Sequence, residues 1–372
     1  MATTLVVTND FPPLIGGIES FVADVCELLD RDVVVLAPAL GDGDPGRDAH
    51  RGYPVVRGPS VLLPTPATAR RAVALLREHR AARVVFGAAA PLGLLAPVLR
   101  RAGAEHLVGL THGHEVWWAS LPGSRRLLRR IGDGCDHLTT ISDHTTDRIA
   151  PALSPAARAR LLRLPPPVDL DLFTPSPGGL PPGPPRCVAV GRFVVQKGFD
   201  TLLRAWAGVQ QAWPEGERRP ELVLVGDGPQ RERLQAEVRR LGLAGSVRFT
   251  GPLPRTAVVA ELQAARVFAL PVRSRFAGLN PEGLGLAAVE AAACGLPVVV
   301  GASGGAPETV QEGRSGFVVP PEDAARLAEV LLLLLRDPAR AAAMGAAGRR
   351  HVAERFGAAA ARRTLRRALH LT

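Results

Sequence analysis

The stretch Gly278–Gly295 reads Gly-Leu-Asn-Pro-Glu-Gly-Leu-Gly-Leu-Ala-Ala-Val-Glu-Ala-Ala-Ala-Cys-Gly and predicts a loop that leads into a helix. Pro281 fixes φ ahead of the helix, Glu282 places a negative charge at its N-terminus, and Gly295 ends it. Glu282 and Glu290 are eight residues apart, about 12 Å along a helix axis, so both carboxylates are expected on the same half of the helix. That spacing suits two hydroxyl-bearing ends of one long ligand.

Backbone N–H groups between the two carboxylates are expected to form an anion site at the helix N-terminus, at Gly283, Leu284 and Gly285. A ligand that joins a sugar, a diphosphate and a ribose would match all these features. The alternative is that Glu282 is a capping charge and Glu290 lies on a solvated face. The apolar sequence neighbours of Glu290 favour the binding interpretation.

The composition is that of a soluble globular protein. The chain has 372 residues, of which 47% are hydrophobic and 22% charged, enough for two domains. No signal peptide is predicted, and no apolar run approaches the roughly 18 residues that a membrane span needs. Four scattered cysteines without a CxxC pair indicate reduced, cytoplasmic thiols that bind no metal, at Cys26, Cys135, Cys187 and Cys294.

The net charge of +10 points to an anionic partner. Nucleic acid is disfavoured, because the basic residues are not interleaved with aromatic ones and no nucleic-acid motif is present. Four arginines fall beside apolar residues at helical spacing, at Arg125, Arg126, Arg129 and Arg130. This pattern predicts a basic amphipathic helix that suits an anionic membrane surface, with a simple solvated face as the alternative.

Apolar strands alternate with helical patterns along the whole chain, which predicts an α/β protein with parallel, doubly wound sheets. The expected strands are 5–8, 33–36, 83–86, 106–110, 137–141, 161–164, 187–191, 221–225, 247–249, 267–270, 297–300 and 317–319. A proline- and glycine-rich break at 165–185 marks the interdomain linker. The predicted domains are 1–168 and 169–355, with a final helix, 356–372, that crosses back onto the first.

Two loops in the first half follow predicted strands. The pair Gly16-Gly17 precedes a helix, where it serves either as a turn or as a close approach of backbone to a phosphate or sugar. Thr111–Glu115 reads Thr-His-Gly-His-Glu, and His112 is expected to be a hydrogen-bond donor in a cleft or a structural histidine. A metal site is disfavoured, since no further His or Cys cluster completes it.

The letters at 41–46 match G-x-G-x-x-G, but this match is rejected as a dinucleotide site. It opens no helix, carries two aspartates that would repel a diphosphate, and lacks the acidic residue about 20 positions on. A Rossmann dehydrogenase is therefore not indicated.

Arg192 and Lys197 follow the first strand of the second half, where two cations could stabilise a departing diphosphate. Lys197 is the single lysine among 45 basic residues, which suggests a need for a compact ammonium group. The alternative is a pair of surface cations. Farther along, the turn that ends at Leu253 could place its backbone against the edge of a base.

These residues resemble a known family, the retaining family-4 glycosyltransferases of the GT-B fold. The resemblance covers nearly the full chain and rests on Glu282-x7-Glu290, Gly191-Arg192 with Lys197-Gly198, Gly226-Asp227-Gly228-Pro229, and Cys294-Gly295-Leu296-Pro297-Val298. More narrowly, the chain is similar to the phosphatidylinositol mannosyltransferases that use GDP-mannose. That similarity rests on Asn9–Pro13 with Ile15–Ile18, Thr111–Glu115 and Asn280–Gly285.

The resemblance implies two Rossmann-like domains that face each other across a cleft, with the donor held mainly by the second. Arg192 and Lys197 would bind the diphosphate, helped by the backbone of Gly16 and Gly17 and by the amides at 283–285. Glu282 would hold the sugar hydroxyls and Glu290 the ribose. Leu253 would flank the base.

For the acceptor side, the resemblance places His112 against the transferred sugar and Asn9 and Asp10 at the acceptor. The catalytic set would thus be His112, Glu282, Arg192 and Lys197. Retention without an enzymic nucleophile implies front-face attack, with no metal and no cofactor. One departure is that Val194-Val195-Gln196 lacks the extra basic residue that near relatives often carry before Lys197.

The expected partners are a nucleotide sugar, an anionic membrane surface and a glycolipid acceptor, at the inner face of the cell membrane. Two alternatives remain open at this stage. One is a transferase that uses a UDP-sugar on another glycolipid or small acceptor. The other is a nucleotide-sugar-binding module without turnover, which the intact set of charged residues argues against.

Overall fold

The computed structural model describes residues 3–14, 16–39, 48–179, 183–275 and 281–371. Ile15, the rejected motif at 41–46, part of the predicted linker and Gly278–Asn280 of the opening stretch lie outside these ranges. The chain forms two compact units. Unit 1 comprises Met1–Pro167 with Ala358–Thr372, and unit 2 comprises Val168–Gly357.

The described part of unit 1 contains a seven-stranded parallel sheet in the order β3-β2-β1-β4-β5-β6-β7. The strands are β1 Thr4–Val7, β2 Val33–Ala37, β3 Val55–Arg57, β4 Arg83–Phe86, β5 His106–Leu110, β6 His137–Thr140 and β7 Leu162–Arg163. Its helices are α1 Gly17–Leu28, α2 Pro66–Glu78, α3 Ala89–Leu92, α4 Ala96–Arg101, α5 Glu115–Ser120, α6 Pro122–Gly134, α7 Asp143–Ile149, α8 Pro155–Ala159 and, from the end of the chain, α15 Ala358–Ala368.

In unit 2 the described residues form a six-stranded parallel sheet in the order β10-β9-β8-β11-β12-β13. Its strands are β8 Arg186–Val190, β9 Glu221–Val225, β10 Val247–Gly251, β11 Val267–Leu270, β12 Val298–Gly301 and β13 Gly316–Val319. The helices are α9 Phe199–Ala212, α10 Arg231–Arg240, α11 Arg255–Gln263, α12 Leu286–Ala293, α13 Ala324–Arg336 and α14 Pro338–Phe356. Both sheets follow the Rossmann strand order, which confirms the prediction of two Rossmann-like domains.

The central strands were predictable because both faces of a parallel sheet are covered by helices, so each strand reads as a continuous apolar run. Every residue of β2 is buried, for example. The short edge strand β3 was not predicted, since its three residues are only half-buried. Between β4 and β5 the helical segment is divided into α3, a 3₁₀ turn at Gly93–Leu95 and α4, and Pro97, which has no N–H, lies in the first turn of α4.

Helix α15 packs within unit 1, although it follows unit 2 in the chain. Leu365, Ala368 and Leu369 are buried there. Arg83 donates its Nε hydrogen to the Leu369 carbonyl at 2.9 Å, and Arg362 pairs with Asp30. The last helix therefore contributes to the core of the first unit.

Candidate active site

Ligands of open α/β sheets bind outside the carboxyl ends of the strands, at the point where the strand order reverses. In unit 1 that point lies between β1 and β4, and in unit 2 between β8 and β11. The loops that follow these strands carry most of the predicted site residues.

In unit 2 the chain leaves β8 through Gly191 and Arg192, makes a 3₁₀ turn over Val195–Lys197 and enters α9. Gly198 joins the turn to α9 with a φ of +69°, and a Cβ there would lie 2.0 Å from the Pro271 carbonyl oxygen. Only glycine fits this approach. The end of β11 thereby fixes the position of Lys197.

Lys197 and Glu282 form an ion pair, with Nζ 2.7 Å from Oε2, although the two residues are 85 positions apart. Glu282 is 8% exposed, so its carboxylate depends on this cation for compensation. Gln196 donates a side-chain N–H to the Pro281 carbonyl at 2.7 Å and ties the two loops together again. The structure thus unites two of the predicted catalytic residues.

The backbone of Glu282 is held by the loop that follows β12. Its carbonyl accepts the Gly305 N–H at 2.9 Å, and its N–H donates to Ser303 Oγ at 3.4 Å. Gly304 has a φ of +58°, and a Cβ there would lie 1.8 Å from the Glu282 carbonyl oxygen. This loop fixes the carboxylate, a role that the sequence analysis did not assign to it; the Gly-Gly pair after a strand was the available signal.

The prediction that Glu282 and Glu290 share one helix is wrong. Helix α12 begins at Leu286, and Gly285 before it has a φ of +90°, which interrupts the helical path. Glu282 therefore lies in the preceding loop, and the separation calculated for a helix does not apply. The backbone amides of 283–285, which are predicted to bind an anion, also precede the helix. Gly283 is half-buried, and the Leu284 side chain is 2% exposed.

Glu290 lies on α12, which turns the flanking Val289 and Ala291 into the core. The Glu290 side chain itself is 25% exposed, and Arg255 Nη2 lies 3.9 Å from its Oε1. A ribose role for Glu290 stays a prediction. Leu253, which is predicted to flank the base, is half-buried and precedes α11 by two residues.

Arg192 is exposed, and within the described residues its side chain makes no hydrogen bond or ion pair. Of the two predicted diphosphate ligands, one is thus paired and one is open to solvent. The motif Gly226–Pro229 has a packing role beside them. A Cβ on Gly226 would lie 2.1 Å from the Gly191 carbonyl oxygen, and one on Gly228 would lie 2.7 Å from that of Phe193.

In unit 1 the side chain of Asn9 is used by the fold. Its Nδ2 donates to the Leu62 carbonyl at 2.9 Å, and its Oδ1 accepts the Leu62 N–H at 2.7 Å. An acceptor role for Asn9 and Asp10 stays a prediction. The Asp10 N–H is bonded to Thr8 Oγ1 at 3.0 Å.

Gly16 and Gly17 lie at the start of α1, as the sequence predicts. Glu19 in the first turn folds back over them, and its Oε2 would lie 2.2 Å from a Cβ placed on Gly16. A negative charge this close to Gly16 disfavours an anion at the Gly16 backbone, because like charges repel. The diphosphate contact at Gly16 and Gly17 stays a prediction.

His112 follows β5, and its ring contacts the edge of Phe21 at 5.7 Å between centroids. Its Nε2 lies 2.5 Å from the Gly87 carbonyl oxygen, which can only accept, so Nε2 carries the hydrogen. Burial lowers the pKa of His112, against the opposing effects of Glu115 and of this hydrogen bond, so the ring is neutral at pH 7. The remaining nitrogen, Nδ1, is then an acceptor and not the donor that the sequence suggested.

Glu115 holds the loop that carries His112. It is completely buried, and its Oε2 accepts the His112 backbone N–H at 2.9 Å. Its Oε1 lies 3.2 Å from Nε2 of His114. The sequence analysis considered this residue only as a possible metal ligand, whereas the structure makes it a positioning residue for His112.

Replacing Glu115 with glutamine is expected to lower kcat by about tenfold and to leave the donor KM nearly unchanged, because a charge-assisted bond to the His112 loop becomes a neutral one. Steady-state kinetics with donor varied would measure both constants. His114→Gln, at the half-exposed partner, is the control and should stay within about threefold of wild type. A Glu115→Gln enzyme with wild-type kcat would contradict the positioning role.

Groups of three or more His, Cys, Asp or Glu side chains that could hold a metal ion do not occur among the described residues. The four cysteines are buried and unpaired. Burial raises the pKa of the Cys26, Cys135 and Cys294 thiols to about 12, so these three are not nucleophiles at neutral pH.

Comparison with known proteins decides the family. The model for Glycosyltransferase Family 4 matches residues 15–172, and that for glycosyl transferases group 1 matches 174–351. A Mycolicibacterium smegmatis protein named GDP-mannose-dependent α-(1-6)-phosphatidylinositol monomannoside mannosyltransferase is 46% identical over 93% of this chain and 92% of its own. The chain belongs to glycosyltransferase family 4.

Other relatives of this family-4 glycosyltransferase carry similar names. The Mycobacterium tuberculosis H37Rv enzyme of the same name is 44% identical over 95% of this chain and 94% of its own. A Corynebacterium glutamicum enzyme, named for the monoacylated phosphatidylinositol monomannoside, is 42% identical over 94% of this chain and 93% of its own. The chain thus spans nearly the full length of these relatives.

Solved structures show the same fold at low identity. Anabaena HepE, crystallised with UDP and glucose, superposes with a TM-score of 0.80 at 19% identity over 100% of both chains. Sucrose-phosphate synthase of Thermosynechococcus elongatus gives 0.79 at 24% identity over 98% of both. The fold of this family-4 glycosyltransferase is therefore GT-B.

Proposed function

We propose that this family-4 glycosyltransferase transfers mannose from GDP-mannose to a phosphatidylinositol monomannoside, at the cytoplasmic face of a membrane and with retention of configuration. The observation that carries the proposal is the identity of 42–46% over more than nine-tenths of the chain with mannosyltransferases of that name. The ion pair between Lys197 and Glu282, at the carboxyl edge of the unit 2 sheet, supports it.

In this proposal the two partners of the ion pair divide the donor between them. Lys197, with Arg192, neutralises the diphosphate, and Glu282 accepts hydrogen bonds from mannose hydroxyls. A lysine bound to both groups would fix the sugar relative to its leaving group. The bound donor would also give the buried Glu282 carboxylate hydroxyl partners in addition to Lys197.

The proposed chemistry balances without an enzymic nucleophile. The bond between mannose C1 and the β-phosphate oxygen breaks, and a bond from the acceptor hydroxyl oxygen to C1 forms on the same face. The departing phosphate oxygen takes the hydroxyl proton. Neutral His112, through the acceptor nitrogen Nδ1, orients a hydroxyl of the transferred mannose.

The donor can be tested by thermal-shift titration against GDP-mannose, GDP, UDP-glucose and UDP. A nucleotide at 100 times its dissociation constant stabilises the folded protein by about 2.7 kcal/mol, which raises the melting midpoint measurably. We expect GDP ligands to raise it and UDP ligands to leave it unchanged. A shift with UDP ligands alone would overturn the GDP-mannose assignment and favour a UDP-sugar transferase.

The acceptor can be tested by product analysis. Incubation with GDP-mannose and purified phosphatidylinositol monomannoside should give the dimannoside, detected by mass spectrometry. Phosphatidylinositol without mannose is the matched control and should not react. Mannosylation of the control at an equal rate would contradict the proposed acceptor.

Membrane attachment is proposed for the surface of α6. The arginines predicted to line a basic helix are exposed there, at Arg125, Arg126, Arg129 and Arg130. Trp117 and Leu121, just before this helix, are each 49% exposed. Exposed aromatic and aliphatic side chains beside arginines suit the interface of an anionic bilayer. No helix within the described ranges is long and apolar enough to cross a membrane.

Replacing Arg126, Arg129 and Arg130 together with glutamine is expected to weaken binding to phosphatidylinositol-containing liposomes roughly 100-fold, since each arginine contributes about 1 kcal/mol. Sedimentation with liposomes at increasing salt would measure it, and wild-type binding should fall with ionic strength. The matched control replaces three exposed arginines of unit 2 with glutamine, at Arg218, Arg233 and Arg239. Equal losses of liposome binding in both triple variants would show that the loss follows from the lower net charge and not from the position of the arginines on α6.

A further inference from the structure

Unit 2 contains a cavity of about 690 Å³ that none of the proposed donor residues lines. Arg266 lies just before β11, and Leu296 and Pro297 lie just before β12, so the cavity is at the amino ends of the strands. The proposed donor residues follow the carboxyl ends of the same parallel sheet. The volume is within the range of small-molecule sites, about 300–1,000 Å³.

The walls of the cavity are apolar and fixed. They consist mainly of proline, leucine and alanine side chains, at Pro175, Leu296, Pro297, Ala341, Ala342 and Ala346. Helix α14 approaches the end of α12 so closely that a Cβ on Gly345 would lie 1.8 Å from the Gly295 carbonyl oxygen. Arg349 donates to the carbonyls of Phe173, Ala293 and Leu170 and holds the other wall in place. The cavity is therefore preformed.

No carboxylate of the described residues forms an ion pair with the arginines that line this cavity. Arg266 donates through Nη1 to the Leu335 carbonyl at 2.5 Å, while its buried Nε has no hydrogen-bond partner. Burial lowers the pKa of Arg266, and no carboxylate opposes that effect. Arg350 also lines the cavity and makes no ion pair with a described residue. A partly buried guanidinium without a counter-charge is costly, and a bound anion would offset that cost.

We propose that this cavity binds a single acyl chain that carries an anionic head group. The chain lies along the alanine face of α14, and the head group pairs with Arg266 and Arg350. The apolar walls match the chain, and the guanidinium groups match a carboxylate or a phosphate monoester. The site is independent of the proposed transfer reaction, because it shares no residue with the donor or acceptor loops.

The test is a fluorescence titration of the full-length protein with 11-(dansylamino)undecanoic acid. Ala346→Trp fills the cavity and should weaken binding at least tenfold. Ala343→Trp is the matched control, since Ala343 is an exposed alanine on the same helix that does not line the cavity. It should bind within twofold of wild type. Equal binding by both variants, or no binding by wild type, would overturn the proposal.

Competition then identifies the head group. Oleate and 1-oleoyl lysophosphatidate should displace the probe, and whichever does so at the lower concentration distinguishes a carboxylate from a phosphate ligand. Neutral monoolein should need at least tenfold more. Arg266→Gln should remove that difference. If monoolein competes equally in wild type, or if neither anion competes, the proposed role of the arginines is wrong.

Discussion

Replacing Lys197 with alanine is expected to lower kcat/KM for mannose transfer by about 100- to 1,000-fold, the loss typical of removing one preorganised charge from a developing anion. The ammonium group lies 2.7 Å from Glu282, at the carboxyl edge of the unit 2 sheet. Lys197→Arg should be nearly as inactive. A planar guanidinium cannot replace a compact ammonium in a position fixed by the close packing of Gly198 against Pro271.

The stability of these variants separates a catalytic effect from a folding effect. Lys197→Ala leaves the buried Glu282 carboxylate without its cation, which should cost roughly 1–3 kcal/mol and lower the melting midpoint. The double variant Lys197→Met with Glu282→Gln should regain that stability and remain inactive. Arg204→Ala on α9, whose partner Asp200 is 3.8 Å away on a half-exposed surface, is the control and should retain activity.

Single-turnover kinetics and thermal melts of the four variants would separate the effect on catalysis from the effect on stability. Turnover within threefold of wild type in Lys197→Ala would place the donor site elsewhere. Recovery of activity in the double variant would show that stability alone was limiting.

His112→Ala is expected to lower kcat by about 100-fold or more, while GDP-mannose still raises the melting midpoint as in wild type. The ring is fixed by its hydrogen bond to the Gly87 carbonyl and by the edge of Phe21. Its loss therefore removes an oriented hydrogen-bond acceptor, Nδ1. His112→Gln keeps a side-chain N–H for Gly87 and presents an amide oxygen. It should retain more activity than the alanine variant.

The pH profile distinguishes this role from a merely structural one. Burial lowers the pKa of His112 below 6.5, the ordinary value for histidine, so the ring is still mainly neutral at pH 6.5. Wild-type kcat should therefore stay level down to pH 6.5. It should fall only at lower pH, where protonation of Nδ1 removes the hydrogen-bond acceptor. His112→Gln should lack this fall. A decline that starts above pH 6.5, or that persists in the glutamine variant, would contradict the assignment.

Much of the fold was predictable because its determinants are local. The strands β4, β5, β9 and β11 have the predicted bounds, since buried parallel strands are short apolar runs between turn residues. Ser142, a residue type that favours the N-cap position, caps α7 and accepts the Thr145 N–H at 3.1 Å. The family followed from motifs at strand ends, and comparison with known proteins confirmed it.

The errors arose where a long-range contact or a special backbone conformation decided the outcome. A positive φ at Gly285 starts α12 four residues later than the position of Glu282 implied. The sequence also did not show that the Asn9 amide bonds the backbone of Leu62, 53 residues away, while its acceptor role stays a prediction. No spacing rule contains either fact, because the first depends on packing around one glycine and the second on two separate loops.

The sequence by itself determined the alternating elements, the Rossmann-like units and the identity of the charged residues at strand ends. These follow from periodicity and from residue chemistry, which act over a few neighbouring positions. Only the tertiary structure decided that Lys197 pairs with Glu282, that Glu115 holds His112, and that Arg266 faces an apolar cavity without a counter-charge. Such pairings depend on which loops the parallel sheets bring to one edge, and that is a property of the folded chain.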